Sequence, residues 1–451
     1  MTSLRYYSTN RVAGSVTLGD ALLKGQAPDK GLYLPEIVPV IPPDEIVSLR
    51  SRPYHEVAYA VLRRFTGPHI EDQVLKDICR ECYDYTVPLE RVFGSTYIMR
   101  LDQGPTASFK DFAARMMARL MRHFLAEDQS ELVILTATSG DTGSAVAHAF
   151  HNIDRISMVV LFPRDEVSDR QRRQMTTLGG NVTVISVAGK FDDCQAMVKK
   201  AFADPDLGRI RFSSANSINI GRLLPQAVYY FYAYANLAPD LAPAVFSVPS
   251  GNFGDMMGGL LASRMGVPVS RFVIATNAND EFPVFLATGE YRKIVPSRVC
   301  LSNAMNVGHP SNLTRVIDLY GGRMDETGAI SVMPDLDRMR RDMYAVSVDD
   351  QETRRTIKEA YDQYRILLEP HGAVAWAGLT KYLGTNQPAP LAVSIETAHP
   401  AKFPEEIVKI LGVEPDLPPS LLNLDRARED YLKIENNYDQ FRSILHRTFD
   451  G

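Results

Sequence analysis

From Leu132 onward the chain alternates short apolar runs with helix-like stretches at nearly regular spacing. This is the feature that most restricts its fold. Apolar runs at 132–137, 156–162, 182–187, 210–212, 244–248 and 271–275 read as buried strands. The stretches 144–150, 168–178, 192–202, 220–235 and 253–264 read as helices between them. Strands separated by helices cannot pair as hairpins, so the pattern predicts βαβ units and a largely parallel sheet with both faces covered. The first 95 residues differ, being rich in Pro, with amphipathic helices predicted over 51–62 and 70–82. Beyond the Pro-rich break at 415–419, the segment 421–447 reads as a charged, mostly helical tail.

Composition removes several classes. A length of 451 residues allows two or three domains around a large core, and 45% hydrophobic with 23% charged residues is ordinary for a globular chain. A formal net charge of −5 argues against a nucleic-acid-binding protein. No apolar run reaches the ~18 residues of a membrane span, and the N-terminus lacks the apolar core of a signal peptide. A cytoplasmic location is expected. Four cysteines are too few for a secreted disulfide framework. Cys79-Arg80-Glu81-Cys82 has no second pair or histidine cluster to complete a zinc site, and no metal site is expected.

Two Gly-containing turns lie where a strand meets a helix: Thr138-Ser139-Gly140-Asp141-Thr142-Gly143 and Pro249-Ser250-Gly251-Asn252-Phe253-Gly254-Asp255. Open α/β sheets bind ligands at such strand ends. Free N–H groups and the positive helix end favour a phosphate or carboxylate there. Neither is a dinucleotide fingerprint or a P-loop, and a ligand-free βα turn remains an equal reading of each alone. A third element, Gly104-Pro105-Thr106-Ala107-Ser108-Phe109-Lys110-Asp111-Phe112, opens an amphipathic helix predicted over 112–124. A lysine at a helix start is usually solvated, yet the helix dipole there disfavours a cation and lowers the amine pKa. A lysine so tuned suits Schiff-base chemistry.

Taken together, G-P-T-x-x-F-K-D, T-S-G-D-T-G, S-G-N-F-G-D and T-A-H-P-A-K-F resemble the threonine synthase family, whose members are fold-type-II pyridoxal-phosphate enzymes. The resemblance runs almost the whole length. It includes Gly31-Leu32-Tyr33-Leu34-Pro35, Phe191-Asp192-Asp193-Cys194-Gln195, Asn216-Ser217-Ile218-Asn219, the stretch 306–312 and Glu369-Pro370-His371-Gly372-Ala373. It departs from the family's usual residues at Asp102-Gln103, Lys190, Asn306 and His309.

The resemblance implies an α/β protein of the tryptophan-synthase-β-like fold, with two open twisted sheets, helices on both faces and an N-terminal region. It implies a division into 1–95, a catalytic core at 96–418 with a smaller subdomain near 125–215, and a helical tail at 419–451. It further implies that Lys110 is catalytic and holds pyridoxal 5'-phosphate as a Schiff base. Gly251, Asn252, Phe253, Gly254 and Asp255 would bind the cofactor phosphate through backbone N–H groups, and Thr397 would meet the pyridine nitrogen. A hydroxyl partner there leaves that nitrogen less protonated than a carboxylate would. Thr138, Ser139, Gly140, Asp141 and Thr142 would receive the substrate carboxylate, with Asn216, Ser217, Asn219 and Arg222 on the substrate-phosphate side. The expected reaction is conversion of O-phospho-L-homoserine and water to L-threonine and phosphate. The alternatives are a phospho-lyase that releases 2-oxobutyrate, and a non-catalytic cofactor-binding homologue. His371 and His399 are expected to be structural rather than catalytic bases.

Overall fold

The structure is a computed structural model and describes residues 4–128, 130–138, 140–386, 390–422 and 424–449. Two sheets organise it. The large one has six strands in the order Met343–Ser347, Val269–Thr276, Ala244–Pro249, Leu391–Glu396, Thr96–Arg100 and Leu89–Phe93. All its pairings are parallel except the last, where Leu89–Phe93 runs antiparallel at the edge. The small one has five parallel strands in the order Leu432–Glu435, Val182–Ala188, Ile156–Pro163, Leu132–Ala137 and Phe212–Ser214.

The expected alternation of strand and helix is therefore present, and the reason is visible in burial. Every side chain of Leu132–Ala137 and of Ala244–Pro249 is buried, as strands covered on both faces require. Helix ends follow local chemistry too: Ser168 and Gln171 form a reciprocal capping box at the start of Asp169–Thr176.

Three expectations change. The single helix predicted over 220–235 is broken into Ile220–Leu223, a 3₁₀ turn at Leu224–Gln226 and Ala227–Leu237. Pro225 lacks an N–H and disturbs the helical ladder there. The helix predicted from 112 begins at Lys110 and runs to Asp128. The tail is not simply helical. It supplies the edge strand Leu432–Glu435, paired with Val182–Ala188, before the helix Tyr438–Phe449. Phe441 and Leu445 of that helix are fully buried beside Ile185, Val187 and Met197.

The N-terminal region packs on the core. Its strands Tyr6–Ser8 and Tyr33–Pro35 pair antiparallel. Tyr7 donates to Asp318 and Arg11 pairs with the same carboxylate at 3.0 Å. Cys79 and Cys82 sit buried as free thiols at the end of the helix Asp72–Cys82. No helix among the described residues is long and apolar enough to cross a membrane.

Candidate active site

Lys110 is the first residue of its helix, and the preceding loop is held tightly. Asp111 accepts from the Thr106 N–H at 2.8 Å and the Thr106 hydroxyl at 2.7 Å. A side chain at Gly104 would collide with that Asp111 carboxylate. From the far side, the Phe109 N–H donates to the Thr397 carbonyl at 2.8 Å, and the His399 N–H to that of Ala107 at 3.0 Å. The lysine loop is thus tied to the turn that follows Leu391–Glu396.

Only 13% of the Lys110 side chain is exposed. Burial pushes its amine down to about 8, against the pull of Asp141, whose carboxylate lies 4.0 Å away. The charged form of a buried amine loses its hydration, so the neutral nucleophile becomes accessible near neutral pH.

Asp141 opens the helix Asp141–Phe150, which follows the small-sheet strand Leu132–Ala137. Its carboxylate faces a second buried amine, Lys402, at 2.7 Å. It also accepts from Gln171 at 2.9 Å. Burial opposes its charge, but Lys402 and Lys110 hold it well below the usual carboxylate range. Lys402 is fully buried and also donates to the Thr106 carbonyl at 2.9 Å. Gln174 donates to that same carbonyl at 3.1 Å. These bonds join the small-sheet elements to the lysine loop. Sequence reasoning did not single out Lys402, although it stands in the quoted T-A-H-P-A-K-F stretch.

The rest of the first Gly turn serves itself. The Thr138 hydroxyl accepts from the N–H groups of Gly140 and Gly143 at 2.9 and 2.7 Å. Gly140 at the N-cap has no side chain to offer, and with the Gly143 N–H taken by Thr138 the N–H groups of Asp141 and Thr142 are left for an anion. Thr142 is half-buried at that end. Ser139 lies outside the described residues.

The second Gly turn follows the central strand Ala244–Pro249. Phe253 takes a left-handed conformation with φ +61°, and the helix Gly254–Arg264 begins immediately after it with no side-chain cap. A Cβ at Gly254 would meet nothing nearer than Gln226 Nε2 at 3.5 Å and Ser217 Cβ at 3.7 Å. A Cβ there would make only ordinary van der Waals contacts. Gly251 is different, since a Cβ there would come within 2.8 Å of Met305 Cα and 3.0 Å of the Ala304 carbonyl oxygen. Asn252 fixes the turn by donating to Ser217 at 2.7 Å and accepting from the Ser311 N–H at 2.6 Å.

The Asp255 side chain does not cap its helix, as its position suggests. It accepts from Tyr229 and Tyr230 at 2.6 and 2.8 Å, and burial pushes it up to about 6. Two buried hydroxyls outcompete the helix N–H groups for that carboxylate.

The third cluster divides. Ser217 touches Asn252, as stated. Arg222 is buried, donates to the Ala215 carbonyl at 2.7 Å, leaves Nε without a partner and is pushed by burial down to about 10. Asn216 Oδ1 is likewise buried and unpartnered. Asn219 does not join them: its amide donates to the carbonyls of Leu22 and Ser214 and accepts from the Gly221 N–H, so it builds the wall. Arg315, not anticipated, is fully buried and donates to the carbonyls of Tyr33, Ser217 and Ile218 and to Asn312. It anchors the 217–218 backbone to the N-terminal region.

These residues fit pyridoxal phosphate. A buried amine of lowered pKa is present for the aldehyde, a glycine-led helix N-terminus without a side-chain cap for the phosphate, and the buried Thr397 beside the lysine loop. The two-sheet fold and this site define the class: a fold-type-II pyridoxal-phosphate-dependent enzyme. Residues 86–397 match the family described as "Pyridoxal-phosphate dependent enzyme". Residues 5–83 and 372–445 match "Threonine synthase N terminus" and "Threonine synthase, C-terminal".

The chain is 39% identical to the threonine synthase of Pseudomonas aeruginosa over 98% of both chains, and 37% identical to that of Escherichia coli over 93% and 94%. The crystal structure of PLP-bound threonine synthase from Brucella melitensis superimposes with a TM-score of 0.93 at 35% identity, covering 99% of each chain. The chain belongs to the threonine synthase family.

Proposed function

We propose that this chain is a threonine synthase, converting O-phospho-L-homoserine and water to L-threonine and phosphate, with Lys110 as the residue that holds the cofactor and moves protons. The observation that carries this reading is the Lys110 amine itself, largely buried, 4.0 Å from Asp141 at the start of Asp141–Phe150, and lowered to about 8. When bound, pyridoxal phosphate supplies the electron sink that makes the Cα and Cβ protons of an amino acid acidic. The uncapped start of Gly254–Arg264, with Gly251 and Asn252, receives the cofactor phosphate through backbone N–H groups. The start of Asp141–Phe150 receives the substrate carboxylate. Arg222 and Asn216, with buried polar atoms unpartnered, serve the substrate phosphate. Freed by the incoming substrate, the Lys110 amine would remove the Cα proton, then a Cβ proton, would return one to Cγ after phosphate leaves, and would return one to Cα after water has added its hydroxyl at Cβ. Asp141, 4.0 Å from that amine, is a weak base because Lys402 and Lys110 hold it well below the usual carboxylate range, and Thr142 and Thr397 are hydroxyls. Asp141 and Lys402, almost wholly buried, keep bulk water from the lysine until water adds at Cβ.

The chain is read here as a cytoplasmic enzyme acting on a small molecule. It is divided into an N-terminal region at 1–95, a core at 96–418 and the tail at 419–451. The N-terminal family match over 5–83 supports the first boundary, and the tail contributes a strand to the small sheet.

The test is to incubate cofactor-loaded protein with O-phosphohomoserine and assay threonine, 2-oxobutyrate and phosphate in one reaction. Threonine and phosphate in equal amounts are expected. 2-Oxobutyrate without threonine would make it a phospho-lyase, and no phosphate at all would remove the catalytic reading. Borohydride should trap the cofactor on Lys110 and on no other lysine.

A further inference from the structure

Behind Thr397 lies a buried acidic pair, Glu369 and Glu396, 0% and 1% exposed. The two carboxyls are not equivalent. Glu369 caps the helix Pro370–Thr385 and meets donors only. Its Oε1 accepts from the Gly372 N–H at 2.9 Å and the Thr397 hydroxyl at 3.2 Å. Its Oε2 accepts from the His371 N–H at 2.7 Å and from His371 Nδ1.

The His371 tautomer follows from its other nitrogen, which accepts the Ala304 N–H at 3.1 Å. The ring proton is therefore on Nδ1 and is given to Glu369. Four donors fill the four lone-pair sites of a carboxylate, and no acceptor is left to take a proton from it. Glu396 differs. It accepts the Glu369 N–H at 2.8 Å on one oxygen, while the other is buried without a partner. Burial and the adjacent Glu369 charge push it well above the usual carboxylate range, despite Arg100 at 3.5 Å. Of the two neighbours, Glu396 is the one pushed towards its protonated form, while Glu369 faces donors only.

The Thr397 hydroxyl has a single proton. We infer that Glu369 is a positioning residue that takes this proton in a fixed hydrogen bond, so that Thr397 offers the cofactor's ring nitrogen only a lone pair and holds that nitrogen in its protonated form. The sequence-level expectation is the reverse, because a free hydroxyl would donate to the nitrogen. The inference rests on the reading that Thr397 faces the ring nitrogen. A protonated ring nitrogen withdraws electrons more strongly, which favours removal of the Cα and Cβ protons by Lys110.

The experiment uses holoenzyme loaded with pyridoxal phosphate labelled with nitrogen-15 in the ring, read by solid-state or solution nitrogen NMR together with the absorption spectrum. The wild-type resonance should lie at the pyridinium position. Thr397→Val removes the lone pair and should move the resonance to the unprotonated position, while Thr397→Ser should restore it. Glu369→Gln places an N–H₂ group opposite the hydroxyl and should produce the same unprotonated shift. A wild-type resonance at the unprotonated position would overturn the inference, as would a pyridinium resonance unmoved by Thr397→Val. A pyridinium resonance unmoved in folded Glu369→Gln would overturn the role of Glu369; should that variant fail to fold, Glu369→Asp, whose shorter side chain draws the carboxylate back from the hydroxyl, makes the same test. Borohydride trapping on Lys110 in the same samples separates the two readings: an intact adduct with the wrong nitrogen signal sinks the inference alone, whereas an adduct elsewhere sinks the proposed function.

Discussion

Replacing Lys402 by methionine should cost the cofactor-free protein about 3 kcal/mol, the lower end of the range for breaking a buried ion pair. Methionine preserves the length and apolar stem of the side chain, so the change is one of charge. It leaves Asp141, 2% exposed, without the amine 2.7 Å away. Two features keep the loss from being larger. Lys110 remains 4.0 Å from the same carboxylate, and the Thr106 carbonyl keeps its bond from Gln174 at 3.1 Å.

With an unfolding entropy of roughly 2.1 cal/mol/K per residue, a chain of 451 residues loses about 1 °C for each kcal/mol, so Tm should fall by about 3 °C. The measurement is a thermal melt without cofactor, so that ligand binding does not offset the loss. Asp141→Asn in the same background supplies the control. It removes the stranded charge and should recover part of the fall, giving an interaction energy of about 1–2 kcal/mol between the two sites. If the two single losses simply add in the double variant, the pair is not coupled and the account of the joint between the sheets is wrong.

The Lys110 amine, held near 8, should react with added pyridoxal phosphate with a pH midpoint about two units below that of an ordinary lysine. A midpoint above 10 would show that the amine is solvated. The sign for stability follows. The folded pKa is below the unfolded one, so this group's contribution rises with pH from about 8 to about 10.5. Two glycines of one loop should behave differently. Gly251→Ala pushes Cβ against the backbone of residues 304–305 and should lower Tm by an overpacking cost of about 1–3 kcal/mol. Gly254→Ala meets no atom closer than 3.5 Å and should leave Tm unchanged while weakening cofactor binding in a spectroscopic titration. Equal binding by the Gly254 variant would remove the phosphate from that space.

Sequence reasoning located the strands well because a parallel strand covered on both faces is a plain apolar run, as at Leu132–Ala137. It located Lys110 and both Gly turns because tight turns at strand ends need particular residues. Where it failed, the cause lay in pairing across the chain. Lys402 reads as a surface lysine until Asp141 is placed beside it. Asp255 sits where a helix cap would be expected, and only the fold reveals that Tyr229 and Tyr230 claim its carboxylate. Leu432–Glu435 alternates apolar and charged residues at a sheet edge with one buried side chain, Ile434, and carries almost no strand signal. Asn219 was grouped with the ligand side by its motif, yet its amide is consumed by Leu22 and Ser214.

In the large sheet, Thr96–Arg100 lies directly beside Leu391–Glu396, and the lysine loop is closed by the turn that follows the latter. Most of the chain must therefore be in place before the amine that meets the cofactor is enclosed. Pairing of such distant segments is slow, because the loop entropy is spent before the contacts form. A nascent chain halted before residue 391 would carry both Gly turns and the lysine but no roof over it. Cofactor retention thus reports on completed folding, and partly made chains present an exposed sheet edge at Thr96–Arg100 for chaperones to cover.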